Sequence, residues 1–242
     1  LASYTMGFAG EDYHDLLKEK LEGIGARLKS EYGLEFRLTL DTHPVLERDL
    51  AQRAGLGWFG KNSMLISREH GSFFIIGSLL LNKKLNIKEK KTETDHCGQC
   101  TRCVEACPTE AIDPQTRTII AKDCISTFTI EQFKLESEPS EKMDLTNGFI
   151  FGCDICQDVC PWNKRIDRQA EVPLVNQWTQ KEQKTLDFFL LRPVAEVHKN
   201  LEEVSGKEFE RYFQKTSFAR SGKRGLLKNI RLYLKQKLNI LS

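Results

Sequence analysis

The sequence predicts an α+β protein in which a cysteine-rich module separates a region of helices and strands from a helical end. Three observations lead to this fold class. The chain has 242 residues, of which 40% are apolar and 29% charged, a composition that suits a globular chain with a buried core. Helical and strand periodicities alternate before the first cysteine, and eight cysteines lie in a middle segment. We therefore expect three parts, residues 1–94, 95–165 and 166–242.

The first part combines helices with short strands. Apolar residues recur at helical spacing over residues 13–31, which predicts an amphipathic helix. Alternating apolar residues predict a strand over residues 35–40, and a short helix over residues 45–53 follows. Two further strands are expected over residues 64–67 and 73–81. A polar, lysine-rich linker then leads to the cysteines.

A glycine-rich stretch at residues 55–62 allows two interpretations. Its GxGxxG spacing is a weak signal for dinucleotide binding, and it follows a helix rather than a strand, so a Rossmann site is excluded. One interpretation is a glycine turn between elements. The other is a loop whose backbone lets a large flat cofactor approach closely, with Trp58 covering one face.

The eight cysteines form two runs and one isolated residue, Cys124. The first run is Cys97-Gly-Gln-Cys100-Thr-Arg-Cys103-Val-Glu-Ala-Cys107-Pro108. The second run is Cys153-Asp-Ile-Cys156-Gln-Asp-Val-Cys160-Pro161. Disulfides and tetrahedral zinc stay open as alternatives, although this chain is longer than most disulfide scaffolds and shows no signal peptide. A CxxCxxC run with a fourth cysteine before proline is typical of two 4Fe–4S clusters.

The same spacing predicts which cysteines share a cluster. A CxxCxxC loop directs three thiolates at one cube, and the fourth cysteine of such a run binds the other cluster. We therefore expect one cluster to be bound by Cys97, Cys100, Cys103 and Cys160. The second cluster is expected to be bound by Cys107, Cys124, Cys153 and Cys156. Crossed ligation keeps the two clusters near each other, so that single electrons can pass between them.

The carboxyl-terminal part is predicted to be helical and basic. Apolar residues at helical spacing predict helices around residues 194–204 and 227–241. From Arg211 onward there are nine Lys or Arg and no Asp or Glu, although the net charge of the whole chain is only +2. A basic end on an acidic remainder favours an anionic partner, and a solvated helix face is the alternative.

The sequence shows neither a membrane-spanning nor a secretory pattern. No apolar stretch is long enough to span a bilayer, so we expect no membrane partner. The chain opens at Leu1 without an initiator methionine, a basic start or an apolar signal segment, so we expect a processed or truncated start rather than a secretory precursor.

Several separated motifs stand in a fixed order along the chain. They are Gly10-Glu-Asp-Tyr-His14, Asp41-Thr-His-Pro-Val-Leu-Glu-Arg48, Ala54-Gly-Leu-Gly-Trp-Phe-Gly-Lys-Asn62, Gly71-Ser-Phe-Phe-Ile-Ile-Gly77, Cys124-Ile-Ser126 and Phe151-Gly-Cys-Asp-Ile-Cys-Gln157. Together with the double cysteine module, they resemble the epoxyqueuosine reductase family over about residues 10–232.

The resemblance implies a cytoplasmic oxidoreductase that reduces the epoxide of epoxyqueuosine in tRNA to queuosine, the last step of queuosine biosynthesis. It implies cobalamin beside two 4Fe–4S clusters, and an α/β corrinoid-binding domain before the ferredoxin-like module and a short helical end. It also implies that the start of the corrinoid domain and the helical repeats of many relatives are missing here. We expect a monomer that takes electrons from a flavodoxin or ferredoxin system.

The resemblance further assigns roles to single residues. Asp41 matches the family's proton donor, with a helix cap or a turn as the alternative, while Tyr13 and His14 are expected to face the cavity. His14 and His43 are not expected to bind cobalt. Seven residues are predicted to contact the corrinoid: Trp58, Gly60, Lys61, Asn62, Ser72, Ser126 and Gln157. Six basic residues are predicted to bind tRNA: Lys215, Arg220, Lys223, Arg224, Lys228 and Arg231.

Other functions stay open at this point. One is a corrinoid and iron–sulfur reductase of another substrate, such as a halogenated small molecule, which would not bind tRNA. Another is a two-cluster electron carrier with no catalytic site, for which Asp41→Ala would change nothing. A third is a tRNA-binding module whose clusters are only structural.

Overall fold

The computed structural model describes residues 1–86, 88, 90–165 and 178–241, and residue 241 is described by its backbone alone. It has the mixed helix-and-strand architecture that the sequence predicts. Twelve residues of the predicted helical end, 166–177, lie outside the described residues. The predicted boundaries at residues 94 and 165 stay predictions. None of the described helices is both long and apolar enough to cross a membrane.

The first part is built on one long helix and two small antiparallel sheets. Helix α1 (Tyr13–Tyr32) begins where Asp12 accepts a hydrogen bond from the His14 amide, and it ends at Gly33 with a φ of +64°. The elements that follow are β1 (Phe36–Thr39), α2 (Glu47–Arg53), β2 (Trp58–Phe59), β3 (Leu65–Ile66) and β4 (Ser78–Leu81).

The strands pair over short lengths. Strand β1 pairs with β4, with Phe36 opposite Leu81, and β2 pairs with β3. The strand predicted over residues 73–81 is therefore only four residues long, because β1 offers partners to those four alone. Strand β1 ends directly before Leu40 and Asp41, so the sheet sets the position of the candidate acid.

The cysteine module contains little regular structure. Its elements are α3 (Arg102–Ala106), β5 (Ile112–Asp113), β6 (Thr118–Ile119), α4 (Ile155–Asp158) and α5 (Pro161–Lys164). A small apolar core lies beside it, formed by Ile125, Phe128, Met143 and Leu145. Met143 belongs to a segment whose sequence is mostly polar. Its buried side chain packs this segment against the core.

The helical end contributes the largest apolar core. Its helices are α6 (Gln180–Thr185), α7 (Val194–Glu203), α8 (Gly206–Phe213) and α9 (Gly222–Leu241). Thr179 and Ser205 cap α6 and α8 through capping boxes with glutamates three residues later. The core is rich in phenylalanine and includes Phe151 of the cysteine module. The module and the helical end therefore share one core.

Candidate functional site

Four cysteines surround one cavity in the middle of the molecule. The cavity has a volume of about 170 Å³, and its wall contains the thiols of the predicted first quartet, Cys97, Cys100, Cys103 and Cys160. Cys103 lies on α3, and Cys160 lies directly before α5. Lys61, Arg102 and Arg165 also line the cavity, and no carboxylate does.

The other four cysteines also lie close together. The thiol of Cys153 is within electrostatic reach of Cys107 and Cys124, and Cys156 is within reach of all three. Burial raises the pKa of Cys153 to about 12 and also raises that of Cys156. The structure therefore brings the predicted second quartet together, in surroundings that disfavour unpaired thiolates.

The donor set fits iron–sulfur clusters better than the two alternatives. All eight cysteines are free, so the structure contains no disulfide framework. Zinc prefers four ligands at one tetrahedral ion, whereas here a CxxCxxC loop and a distant cysteine before proline line one cavity, the pattern that cubic clusters use. Two groups of four thiols, most of them partly buried and one group around a cavity, suit cubic clusters whose iron ions would stabilise the thiolates.

Two long basic side chains fasten the cysteine module to the first part. The Lys61 ammonium donates to the carbonyl oxygens of Gly98 (2.8 Å) and Cys100 (2.9 Å), inside the CxxCxxC loop. The Arg117 guanidinium donates to the Phe59 carbonyl (2.6 Å) and to Asp95 (2.7 Å). Lys61 thus binds the cluster loop, a contact that the sequence reasoning did not foresee.

A buried amide network joins the same two regions. The Ser72 amide donates to Asn163 Oδ1 (2.7 Å), and the Ser72 hydroxyl donates to Gln157 Oε1 (2.9 Å). Asn163 Nδ2 donates in turn to the Ser72 hydroxyl and to the Gln157 carbonyl. Asn163 is only 1% exposed, and sequence reasoning missed it because nothing in its local pattern separates it from a surface asparagine.

Four of the seven residues predicted to contact the corrinoid are enclosed by protein. Trp58 is 1% exposed and packs edge-on against His96 and Trp162, so it has no open face to offer a large flat cofactor. Asn62 and Ser72 are also buried, and a Cβ on Gly60 would meet the Ile66 side chain at 2.5 Å. These four residues serve internal packing, because each is enclosed by protein.

The other three residues predicted to contact the corrinoid lie in different environments. Lys61 is committed to the cluster loop and Gln157 to Ser72, while Ser126 lies half-buried before a π-helical turn at Thr127–Glu131. Ser72 and Gln157 contact each other, Lys61 and Asn62 reach the cysteine loops, and the corrinoid contacts stay predictions.

A second candidate site surrounds Asp41. Its carboxylate accepts a hydrogen bond from the Tyr13 hydroxyl, and its Oδ1 lies 2.7 Å from His14 Nε2. Its backbone has a φ of +35° and is held by Glu47, a buried glutamate that accepts from the Asp41 amide at 2.7 Å. The side chain of Asp41 is 40% exposed. A carboxyl group in this position can reach a molecule bound at the surface.

Asp41 does not cap the following helix. Helix α2 begins at Glu47 with Leu46 at its cap position, and no side chain caps it. The Asp41 carboxylate instead faces α1, from which Tyr13 and His14 approach. The sequence offered one signal for these partners, the motif Gly10-Glu-Asp-Tyr-His14, but only folding brings it against residue 41.

Electrostatics in this corner favour a held proton. Burial disfavours a charged imidazole, but hydrogen bonds to Asp12 and Asp41 outweigh it and raise the pKa of His14. Burial and the hydrogen bond to Asp41 also raise the pKa of Tyr13, which keeps its hydroxyl a donor. The Arg220 guanidinium, paired with Glu131 at 2.8 Å, is within electrostatic reach of Asp41 and Tyr13.

The six basic residues predicted to bind tRNA have different environments. Lys215 is exposed, and its carbonyl accepts from the Asp12 amide at 2.8 Å, so Lys215 and Arg220 lie beside the Asp41 corner. Arg224 is exposed on α9. Lys223 donates to the carbonyls of Glu202 and Val204 at the end of α7, and Arg231 pairs with the Glu202 carboxylate at 3.0 Å.

The environment of Lys228 does not suit its predicted contact with tRNA. It is 5% exposed, and its ammonium donates to the carbonyls of Phe128 (2.5 Å) and Gln132 (2.6 Å) while lying over the Phe128 ring. Burial lowers its pKa to about 8. A buried ammonium cannot reach a phosphate, so Lys228 holds the cysteine module to α9 instead.

The fold and the two cysteine quartets define a two-cluster iron–sulfur protein in which the cluster module is packed against an α+β domain. Residues 96–163 match the family described as a 4Fe-4S double cluster binding domain. Epoxyqueuosine reductases from Cyclobacterium marinum and Cellulophaga algicola are 39% and 38% identical to this chain, each over 91% of it. The chain belongs to the epoxyqueuosine reductase family.

A solved structure extends the comparison. The crystal structure of an epoxyqueuosine reductase with an epoxyqueuosine-modified tRNA-Tyr stem loop has a TM-score of 0.72 and 31% identity, covering 93% of this chain and 55% of that one. The present chain spans 65% and 67% of the lengths of the Cyclobacterium and Cellulophaga enzymes.

Proposed function

We propose that this chain is the part of an epoxyqueuosine reductase that reduces the epoxide of epoxyqueuosine in tRNA to queuosine, the last step of queuosine biosynthesis. The observation that carries the proposal is the Asp41 carboxyl group, half-exposed and held by Tyr13 and His14, in a chain that also contains a double-cluster domain. A relative described in complex with an epoxyqueuosine-modified stem loop supports the choice of substrate.

The chemistry explains why an acid and clusters belong together. Removing the oxygen of an epoxide as water consumes two electrons and two protons. Clusters deliver electrons singly, while the oxygen that leaves carbon becomes an alkoxide unless an acid protonates it. In the proposal Asp41 donates this proton. A flavodoxin or ferredoxin system in the cytoplasm supplies the electrons to a monomeric enzyme.

The ligand sets are part of the proposal. Cys97, Cys100, Cys103 and Cys160 hold the first cluster around the cavity described above. The second cluster is held by Cys107, Cys124, Cys153 and Cys156. The closeness of each quartet supports this division, and Cys156 also lies within electrostatic reach of Cys103 of the first quartet.

Cobalamin enters the proposal from the family resemblance. Because the side chains of Trp58, Asn62 and Ser72 are enclosed by protein, the proposal assigns no step to cobalamin. Gly60, Lys61, Ser126 and Gln157 would contact cobalamin only through their backbone atoms or after their side chains rearrange. Equilibrium dialysis with cobalamin measures whether the chain binds this cofactor.

The tRNA grip proposed here is smaller than the sequence suggests. Three of the six predicted residues, Lys215, Arg220 and Arg224, are exposed, and their cationic groups neither bind a backbone carbonyl nor pair with a carboxylate of α7. Lys215 and Arg220 also lie beside Asp41. Phosphate contacts of this kind position an RNA without reading its sequence.

The test compares two aspartates. Asp41→Asn keeps the shape and the hydrogen bond from Tyr13 but cannot release a proton, so we expect turnover to fall by about 10²–10⁴-fold. Asp49→Asn is the matched control, since Asp49 lies on α2 and pairs with Arg53 on the same helix. Both proteins are reconstituted anaerobically with iron, sulfide and cobalamin and assayed on epoxyqueuosine-containing tRNA.

The outcomes separate the candidate functions. Cluster spectra should be the same in both variants and the wild type, so that lost turnover reports on the acid alone. Wild-type turnover in Asp41→Asn would remove Asp41 from the proposal. Failure of the reconstituted wild type to form queuosine would contradict the proposed reaction and favour a plain electron carrier.

A further inference from the structure

Both nitrogens of the His14 ring face carboxylates. Nδ1 lies 2.5 Å from Asp12 Oδ1, and Nε2 lies 2.7 Å from Asp41 Oδ1. Asp12 is itself fixed, because it caps α1 and its amide is bonded to the Lys215 carbonyl. The arrangement is a row of acid, imidazole and acid that ends at the half-exposed Asp41.

We propose that His14 is a positioning and relay residue that returns a proton to Asp41 within each turnover. The proposal rests on the proposed function, since it concerns the protons of that reaction. His14 touches Asp41 and not the substrate, so its effect passes through Asp41.

The proton count of the reaction gives such a residue a role. Conversion of an epoxide to an alkene breaks two C–O bonds, forms one C=C bond and releases the oxygen as water. Two electrons enter, one at a time, from a low-potential one-electron carrier through the clusters. The first proton turns the opened epoxide oxygen into a hydroxyl, and the second turns the hydroxyl into water. One carboxylic acid holds one proton, so Asp41 must be reloaded between these events.

The ring geometry selects which proton moves. Asp12 accepts the Nδ1 proton and thereby keeps it in place, as the buried aspartate of a catalytic triad orients its histidine. The proton on Nε2 then passes to Asp41 Oδ1. His14 is left neutral with its Nδ1 proton still bonded to Asp12, and its 27% exposed side chain takes a new proton from solvent.

The surrounding charges favour the loaded state. Asp12 and Asp41 approach from opposite sides, and their hydrogen bonds raise the pKa of His14 against the effect of burial. The Tyr13 ring stacks on the imidazole at 4.2 Å, and its hydroxyl stays protonated. Arg220, which lies within electrostatic reach of Asp41 and Tyr13, is paired with Glu131.

The test is a pH profile of His14→Gln against His70→Gln. Glutamine retains a polar side chain but cannot be charged, and His70 is an exposed histidine in a turn far along the chain. We expect kcat of His14→Gln to fall by about 10²-fold or more. In the wild type and in His70→Gln, kcat should fall as pH rises through the raised pKa of His14. This limb should be absent in His14→Gln.

A second variant protects the test against misfolding. Asp12→Asn removes one carboxylate from the row, so the falling limb should move to lower pH while turnover persists below it. Nitrogen-15 NMR of the His14 ring in the cluster-loaded protein measures the same shift without substrate. Circular dichroism and cluster spectra check that each variant is folded.

The outcomes distinguish the relay from the reaction. If the wild type forms queuosine and His14→Gln keeps both its rate and its falling limb, the relay is wrong while the proposed function stands. A ring pKa at or below that of a free histidine would also overturn the relay. If the wild type forms no queuosine, the proposed function is contradicted, and so is the relay, which depends on that reaction.

Discussion

The cysteine module and the basic segment from Arg211 onward both show a clear pattern in sequence, but only in the module do the patterned residues share an environment. The eight cysteines form two spatial quartets. Among the basic residues, Arg224 faces solvent, Lys223 binds carbonyls at the end of α7, and Lys228 is buried.

The difference follows from what each pattern constrains. CxxC spacing places two thiols on one tight turn, so local geometry alone brings ligands together. A run of Lys and Arg constrains no geometry, because a helix distributes successive side chains around its axis. Charge at a position therefore predicts a partner only once the environment of that position is known.

The largest expected effect concerns the second quartet. Cys156→Ser removes a ligand from its most enclosed position, so the second cluster should be lost and the iron content should fall by roughly half. Iron analysis and electron paramagnetic resonance of the reduced protein measure this. Ile155→Val, the adjacent residue on α4, should keep both signals. Retention of both signals in Cys156→Ser would contradict the assigned quartet.

The next effect tests whether Lys228 is structural. Its folded pKa of about 8 lies below the usual 10.5, so between these pH values the unfolded chain binds a proton that the folded chain lacks. Stability contributed by this lysine therefore rises with pH across that window. The free energy of unfolding of the wild type, relative to Lys228→Met, should rise by on the order of 2 kcal/mol.

Urea unfolding at pH 7.5, 9 and 10 measures this difference. Arg224→Met is the control, since Arg224 is exposed on the same helix, and its difference from the wild type should not change with pH. A constant difference for Lys228→Met as well would contradict the structural role assigned to Lys228.

The smallest effect concerns the exposed basic residues. Lys215→Gln and Arg220→Gln should each weaken tRNA binding and reduce the slope of log Kd against log salt by about 1. Lys199→Gln on α7 removes an equal charge from another surface and should leave the slope unchanged. Filter binding over a range of salt concentrations provides the slopes. Equal slopes in all three variants would make the basic segment a solvated helix face.

The fold was predictable where periodicity was strong. Helix α1 lies within one residue of its predicted bounds, because leucine spacing and the Asp12 cap both mark it. The strands were predicted too long, since strand length depends on the partner strand. The enclosure of Trp58 and Ser72 was not predictable for a similar reason. Each contacts a residue at least 85 positions away in the sequence, and no local pattern records that.

By itself the sequence determined the chemistry that this protein carries: eight thiols spaced for two clusters, and a carboxyl group at the end of a strand. Only the tertiary structure decided which groups face one another. It enclosed Lys228, used Lys61 to hold the cluster loop, and set His14 between Asp12 and Asp41. The reason is physical, because burial and long-range hydrogen bonds depend on how distant segments pack, whereas thiol spacing acts within a single turn.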